Sequence, residues 1–188
     1  GGRGGVGGVG VVGRVRGARG RAVGVAVGRG GLGVDRDGAR RIGGDEAGEG
    51  LIDGGATFAS ADLVGGAARA LEMAVEYAKD RVQFGRPIGS FQAIQHRLVE
   101  CYAALEQSRS MVYRVALSAA TGGDAWWRAA AGAKAYVGDQ ADRIAREAVQ
   151  IHGGMGVTND LAIGHAFKRV LVLARLFGDE DAILAEYA

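Results

Sequence analysis

The chain has 188 residues, of which 48% are hydrophobic and 23% charged, so its length and composition both allow a packed core. A formal net charge of only +2 gives no reason to expect nucleic acid or an acidic membrane surface as a partner. The single cysteine, Cys101, excludes an internal disulfide and a cysteine-based zinc site.

No apolar run is long enough to cross a bilayer, and no secretory signal stands at the N-terminus. We therefore expect a cytoplasmic protein that is neither secreted nor inserted in a membrane. The chain opens on Gly1 rather than methionine, which leads us to expect a processed or partial product.

The first 50 residues contain 20 of the 35 glycines, and up to Val34 they are almost wholly Gly, Arg, Val and Ala. Ordering so much glycine costs backbone entropy, and few large apolar side chains offset that cost. We predict that residues 1–55 are disordered or the remnant of a β-domain, weakly strand-like over 21–27. An RNA-binding tail is the functional alternative, although aromatic residues for base stacking are absent. Shifted or degraded GC-rich coding sequence explains the same composition more simply.

The glycine-rich segment matches GxGxxG twice, at Gly8–Gly13 and at Gly28–Gly33. A dinucleotide site of this type needs a buried strand before the motif and a helix after it. Neither context is present, so we interpret both matches as chance.

From about Ser60 onward the pattern is helical. A first helix is predicted over 62–82, followed by a turn at 85–89 that contains the only proline. Ser90 is the expected cap of a second helix, and a third helix is predicted over 123–151. Thr158 or Asn159 is expected to cap a fourth helix, and a short fifth helix is expected after Asp179. Apolar residues recur at alternating spacings of three and four, which is typical of helices packed lengthwise. The predicted inward positions are Phe91, Ile94, Leu98, Cys101, Leu105, Ser108, Val112, Val115, Ala119, Val137, Ala141, Ile144, Ala148, Ile151, Ile163, Phe167, Val170 and Ala174. We therefore predict an all-α, antiparallel four-helix bundle over residues 56–188.

Few side chains of this half indicate chemistry by themselves. Its three histidines, His96, His152 and His165, lie in no HExxH or Glu-x-x-His pattern, so no metal site is predicted. Cys101 falls on the inward seam, where a small buried residue is the simpler interpretation. We expect Trp126 and Trp127 to cover an interface.

Two segments carry a stronger signal. They are Arg81-Val82-Gln83-Phe84-Gly85-Arg86-Pro87-Ile88-Gly89-Ser90-Phe91-Gln92 and Gln150-Ile151-His152-Gly153-Gly154-Met155-Gly156. These two segments and the stretch 67–80 before the first of them resemble the C-terminal domain of the acyl-CoA dehydrogenases. The resemblance extends from about Ser60 to the end of the chain. These flavoenzymes desaturate acyl-CoA thioesters.

The resemblance implies an FAD site. In the family, the residues matching Arg81 and Gln92 touch the FAD of a neighbouring subunit, and Phe84 would lie against the flavin. Arginine offers a fixed fork of donors for pyrophosphate oxygens. The glycine-containing stretch would approach the ADP part through its backbone; its residues are Gln150, Ile151, His152, Gly153 and Gly154. The alternatives are an Arg81 pair with Asp80 or Glu76, and a loop at 153–156 that is only a helix C-cap.

The family's catalytic base has no match here. The usual glutamate position is occupied by Phe177, and the alternative position on the first helix falls near Ala59. Asp62, Asp179 and Glu180 are nearby acids, but helix capping by Asp179 is the simpler interpretation. No arginine matches the family's acyl-CoA-holding arginine around Ala56. We therefore assign no catalytic residue.

The function that the resemblance implies is FAD-dependent α,β-dehydrogenation of an acyl-CoA, with electrons passed to an electron-transferring flavoprotein. Family members are homotetramers or pairs of unlike subunits of which only one carries the base. A non-catalytic, FAD-binding partner subunit is therefore one alternative, and a truncated bundle without enzymatic role is another.

Overall fold

The computed structural model describes residues 15–16, 22–23, 27–28, 31–32, 45–120, 123–158, 160–178 and 180–187. Five helices account for most of these residues. They are α1 (Asp45–Asp80), α2 (Gln92–Ala119), α3 (Gly123–His152), α4 (Ala162–Arg175) and α5 (Glu180–Tyr187). The first four form an antiparallel bundle in which α3 packs against α1, α2 and α4. The predicted all-α bundle and its short fifth helix are confirmed.

Short two-residue strands pair as three antiparallel hairpins. They are β1 (Val15–Arg16) with β2 (Ala22–Val23), β3 (Val27–Gly28) with β4 (Gly31–Leu32), and β5 (Val82–Gln83) with β6 (Arg86–Pro87). Residues 45–55 of the predicted disordered segment belong to α1, and the rest of that segment, apart from β1 to β4, lies outside the described residues. All of Gly8–Gly13 and half of the match at Gly28–Gly33 lie outside them as well.

The first helix begins much earlier than its sequence suggests. It starts at Asp45, whereas the composition places the helical pattern from about residue 60 onward. Its early turns contain Gly48, Gly50 and the Gly54–Gly55 pair, which lower helix propensity. Ile52 and Ala56 in the same turns are buried, so tertiary packing outweighs the local preference. The division of the chain at residue 55 stays a prediction, although α1 runs through it.

The core is built largely from small side chains. On α1 the buried positions recur every three or four residues at Ala56, Ala59, Leu63, Ala67, Ala70, Ala74 and Ala78. The facing positions of α3 are Ala130, Ala133, Val137, Ala141, Ile144, Ala148 and Ile151. Alanine lets two helix backbones approach closely while their packing density stays high. The predicted inward faces of α2 and α3 are confirmed at Cys101, Leu105, Ser108, Val115 and at every α3 position named, whereas Ala119 is exposed.

The predicted helix caps at Ser90 and Thr158 are wrong, whereas the candidate caps Asn159 and Asp179 lie outside the described residues. Phe91 rather than Ser90 precedes α2, because the Ser90 hydroxyl donates to the Pro87 carbonyl instead. Leu161 precedes α4, and the hydroxyl of Thr158 donates to the Met155 carbonyl. Each hydroxyl is used by its own preceding 3-10 turn, and the helix starts without a side-chain cap.

Trp126 is half-buried and packs within the chain on a cluster that contains Val115, Ala129 and Ala130. Its neighbour Trp127 is also half-buried and lies beneath the guanidinium of Arg128. Packing inside the chain therefore explains Trp126 without a partner, and the interface role of Trp127 stays a prediction. No helix in the described part of the chain is long and apolar enough to cross a membrane.

Candidate flavin-contacting surface and the Phe177 turn

The first motif forms a tight hairpin after α1. Strands β5 and β6 are joined by two residues, Phe84 with φ of 53° and Gly85 with φ of 76°. Two consecutive left-handed residues are typical of a type I′ turn, where glycine is favoured and an aromatic residue is strained. The Phe84 side chain is nevertheless 94% exposed. Because it is strained and exposed at a hairpin tip, Phe84 is a candidate for contact with a molecule outside this chain.

The hairpin is anchored by its base. The Arg81 amide donates to the Tyr77 carbonyl at 2.9 Å, and the Ile88 amide donates to the Arg81 carbonyl at 2.8 Å. A methyl group at Gly89 would come within 2.9 Å of the Ala78 carbonyl oxygen, so only glycine lets the chain pass this close to α1. The backbone around Arg81 is thus held firmly while its side chain is exposed.

The guanidinium of Arg81 is uncommitted. Among the described residues it forms no ion pair, which removes the alternative pairing with Asp80 or Glu76. Arg86 differs, because its guanidinium carbon lies 4.1 Å above the Phe91 ring. The donors of both arginines are therefore free for an external anion, and Arg81 differs in that its guanidinium also makes no ring contact in the described part of the chain.

Gln92 is the first residue of α2, and its side chain is exposed beside the hairpin. The preceding Phe91 contacts Phe84 edge to face, with ring centroids 6.2 Å apart. Phe84, Arg86, Phe91 and Gln92 therefore belong to one surface, which projects from the end of α1.

The second motif lies at the end of α3, where only part of it faces outward. Gln150 is exposed, whereas Ile151 and His152 are each 7% exposed. The His152 Nδ1 lies 2.7 Å from the Ala148 carbonyl oxygen. The side chains of Ile151 and His152 thus serve the core, and these two positions could meet a ligand only through their backbone.

The two glycines that follow have an open backbone. Gly153 has φ of +63°, both Gly153 and Gly154 are exposed, and a methyl group added at either would meet nothing within 4 Å. Gly156 is instead required by packing, since its added methyl would lie 2.7 Å from the Val149 carbonyl oxygen. The loop does end α3, as the C-cap alternative supposes, but Gly153 and Gly154 also leave room for a ligand against the backbone.

Core contacts bring the two motifs to the same end of the bundle. The rings of Tyr77 and His152 stack with centroids 4.4 Å apart. Around them, a buried cluster joins the end of α1, the start of α2 and the end of α3, and includes Ala78, Ile88, Ile94, Ala148 and Ile151. We call the exposed residues at this end, Arg81, Phe84, Gln92, Gln150, Gly153 and Gly154, the hairpin-end surface.

Phe177 lies in the turn after α4 and faces α1. It has φ of 62°, and Gly178 follows with φ of +99°. A methyl group added at Gly55 would overlap the Phe177 ring, so the ring sits directly against the glycine backbone. The α1 residue that faces position 177 is therefore Gly55, one helical turn before the expected Ala59. Neither position carries a carboxylate.

The nearby acids are engaged or exposed elsewhere. Asp62 forms a salt bridge with Arg169, which raises the pKa of that arginine. Glu180 is exposed in the first turn of α5, and Asp179 lies outside the described residues. Among the described residues, no group of three or more potential metal ligands occurs.

Lys134 is a feature that the sequence reasoning missed. It is 1% exposed, and its ammonium donates to the Ala174 and Gly178 carbonyls on either side of Phe177. The sequence could have indicated it, because Lys134 lies on the inward face of α3, three residues before Val137, where an apolar residue would be expected.

Comparisons with known proteins identify the family to which the chain belongs. The family model described as acyl-CoA dehydrogenase, C-terminal domain, matches residues 49–186. The acyl-CoA dehydrogenase IpdE2 of Mycolicibacterium smegmatis is 40% identical over 131 residues, which cover 69% of this chain and 40% of the relative. The chain thus spans well under half the length of the curated relatives it matches.

Solved structures show the same fold. Butyryl-CoA dehydrogenase from Megasphaera elsdenii superposes with a TM-score of 0.72 and 33% identity, over 77% of this chain and 37% of that chain. PigA with FAD and proline gives a TM-score of 0.71 and 30% identity, over 76% of this chain and 37% of that one. The chain therefore belongs to the acyl-CoA dehydrogenase family, and residues 49–186 correspond to the family's C-terminal domain.

Proposed function

We propose that this chain supplies flavin contacts in an FAD-dependent acyl-CoA dehydrogenase that desaturates an acyl-CoA between its α and β carbons. The observation that carries the proposal is the hairpin-end surface. It exposes an arginine without an ion pair, two glutamine side chains and an open glycine backbone at one end of the bundle. The family relationship and a structural neighbour that contains FAD support the same cofactor.

The donor set fits the parts of FAD. Arg81 offers a fork of donors that suits pyrophosphate oxygens, and Gln92 can both donate and accept hydrogen bonds. The backbone of Gly153 and Gly154 is open enough for close approach by the ADP part. Phe84 presents an apolar ring to a flavin. When bound, FAD would accept the hydride; the residues of this surface would bind and orient it.

Helix geometry supports contact with a neighbouring subunit's cofactor. Gly55, which faces Phe177, and Tyr77, which stacks on His152 at the same end of the bundle as the hairpin-end surface, lie 22 residues apart on α1. At 1.5 Å per residue this separation is about 33 Å along α1. The distance supports the proposal that the hairpin-end surface and the Phe177 turn serve two different sites of an assembly.

A second candidate function is that of a non-catalytic, FAD-binding partner subunit. It is favoured by the Phe177 turn, because both positions that could carry the base hold residues without a carboxylate, Phe177 and Gly55. The nearby Asp62 is held in an ion pair with Arg169. In this case the base that removes the α-proton belongs to an unlike subunit.

We further propose assembly through the outer face of α2. Its apolar side chains Val99, Tyr102, Tyr113 and Leu117 are between 58% and 77% exposed, and they recur along one length of the helix. The Glu106–Arg109 ion pair separates Val99 and Tyr102 from Tyr113 and Leu117, so the face has two apolar patches. Exposed apolar patches of this kind are typical of an association site. An electron-transferring flavoprotein is the proposed electron acceptor, and a cytoplasmic location stays a prediction from the sequence.

The test is to isolate the affinity-tagged chain from its native cells together with its associated subunits. A flavin absorption spectrum in the complex supports both enzymatic candidates, and its absence favours a bundle without enzymatic role. Anaerobic acyl-CoA is then added to the flavin-containing complex. Bleaching that persists after the partner's carboxylates are substituted identifies this chain as catalytic, and bleaching that is then lost identifies it as the partner subunit.

A further inference from the structure

The buried ammonium of Lys134 joins two segments on either side of the Phe177 turn. Its Nζ donates to the Ala174 carbonyl at 2.8 Å and to the Gly178 carbonyl at 2.9 Å. Ala174 lies in the last turn of α4, where carbonyls have no amide donors within the helix. A cation near this end also interacts favourably with the helix dipole. Lys134 thus holds the end of α4 and the residue after Phe177 at one point.

The segment between these two carbonyls is strained. Phe177 has φ of 62° and Gly178 has φ of +99°, so two successive residues adopt left-handed conformations. A residue with a bulky side chain keeps such a conformation only when its surroundings determine it. The Phe177 ring occupies the space above Gly55, where even a methyl group would overlap it.

We propose that Lys134 is a positioning residue: its hydrogen bonds to the Ala174 and Gly178 carbonyls close the 174–178 turn and thereby hold the side chain at position 177 against Gly55. The inference concerns packing within this chain and stands independently of flavin binding. It also implies that a carboxylate introduced at position 177 would be oriented by the same lysine.

The test measures how much Gly55→Ala lowers the melting temperature of the full chain in several backgrounds. In the otherwise unchanged chain the added methyl overlaps the ring, and we expect a drop of roughly 3–10 °C. With Lys134→Met the turn can yield, so the drop should be less than half as large. With Phe177→Ala it should vanish, because the ring is absent.

Gly138→Ala is the matched control. It adds a methyl group 3.8 Å from the Ala174 carbonyl oxygen and 3.9 Å from the Lys134 Nζ, which is ordinary contact, and it keeps the ammonium. In this background Gly55→Ala should cause the full drop. Lys134→Gln, which keeps an amide NH₂ as a neutral donor on a shorter side chain, provides a milder second variant that should give an intermediate drop.

An equal drop from Gly55→Ala with and without Lys134 would overturn the proposal, as would a drop that persists in Phe177→Ala. Stability lost in Lys134→Met by itself is not the readout, because any buried lysine could cause it. If Lys134→Met and Lys134→Gln both failed to fold while Gly138→Ala and Phe177→Ala folded, that result would also contradict a role of Lys134 confined to this turn.

Discussion

Replacing Arg81 by alanine should weaken flavin binding and leave the bundle intact. The side chain is exposed and forms no ion pair among the described residues, so we expect the free energy of unfolding to change by less than about 0.5 kcal/mol. A hydrogen bond from a charged group to phosphate contributes about 1.5–3 kcal/mol. Its loss should therefore weaken FAD binding by roughly 10- to 100-fold.

Arg86→Ala is the matched control on the same hairpin. Its guanidinium lies 4.1 Å above the Phe91 ring, and this contact should contribute about 0.5–1 kcal/mol at an exposed site. Arg86→Ala should thus lower the melting temperature by roughly 1–4 °C while changing flavin affinity less than Arg81→Ala does. The two variants are expected to show opposite patterns.

The assay combines flavin retained per chain, measured by equilibrium dialysis of the assembled complex, with a thermal melting curve of each variant. Unchanged retention in Arg81→Ala together with a lowered melting temperature would refute the reasoning and make Arg81 a structural residue. An equal loss of flavin in both variants would show that flavin binding depends on the positive charge of the hairpin and not on the paired guanidinium donors of Arg81.

Three further predictions concern other parts of the chain. Phe177→Glu should add dehydrogenation to a flavin-containing assembly whose partner carboxylates are substituted, because general-base catalysis contributes about 100- to 10,000-fold. Anaerobic bleaching by acyl-CoA measures this, and rapid bleaching of the same assembly with the unchanged chain would contradict it. Gly156→Ala should destabilise the fold by about 1–3 kcal/mol, since its methyl would lie 2.7 Å from the Val149 carbonyl oxygen. Gly154→Ala should leave the melting temperature nearly unchanged, because its methyl would meet nothing within 4 Å. An equal fall in melting temperature in the two variants would refute this contrast. Burial raises the pKa of the Cys101 thiol above its usual 9.0, so the unfolded chain loses that proton first and stability should fall as the pH rises above about 9. Cys101→Ala should remove this part of the alkaline loss in urea titrations, and an identical pH profile would contradict the assignment.

The periodic apolar positions were sufficient to predict the helices and their inward faces. Val137, Ala141, Ile144, Ala148 and Ile151 are all buried on α3. Burial along a helix follows its 3.6-residue period, so the spacing of apolar residues identifies the inner face without any knowledge of the neighbouring helices. The same reasoning explains why the bundle class was predicted correctly.

Predictions that depended on single polar residues or on composition failed. Ser90 and Thr158 were expected to cap helices, but their hydroxyls donate to carbonyls three residues earlier. The early turns of α1 read as glycine-rich, yet Ile52 and Ala56 pack there and the segment is helical. In each case two local structures differ by about 1 kcal/mol, which a few tertiary contacts can reverse.

For the candidate site too, the sequence suggested some features and only the tertiary structure decided others. The resemblance of two motifs to the acyl-CoA dehydrogenases was the basis for proposing Arg81, Gln92 and the Gln150–Gly154 stretch, and their contact with a flavin stays a prediction. Only the tertiary structure turned His152 inward against Tyr77 and brought both motifs to one end of the bundle.

The sequence by itself determined an all-α bundle of this family, its inward faces and the absence of a carboxylate at position 177. The tertiary structure alone decided that Phe177 meets Gly55, 122 positions away along the chain, and that Lys134 holds the turn between them. The physical reason is that helical periodicity is a local property of the chain. Contacts between residues on different helices depend instead on how those helices pack, and a single sequence does not display that packing.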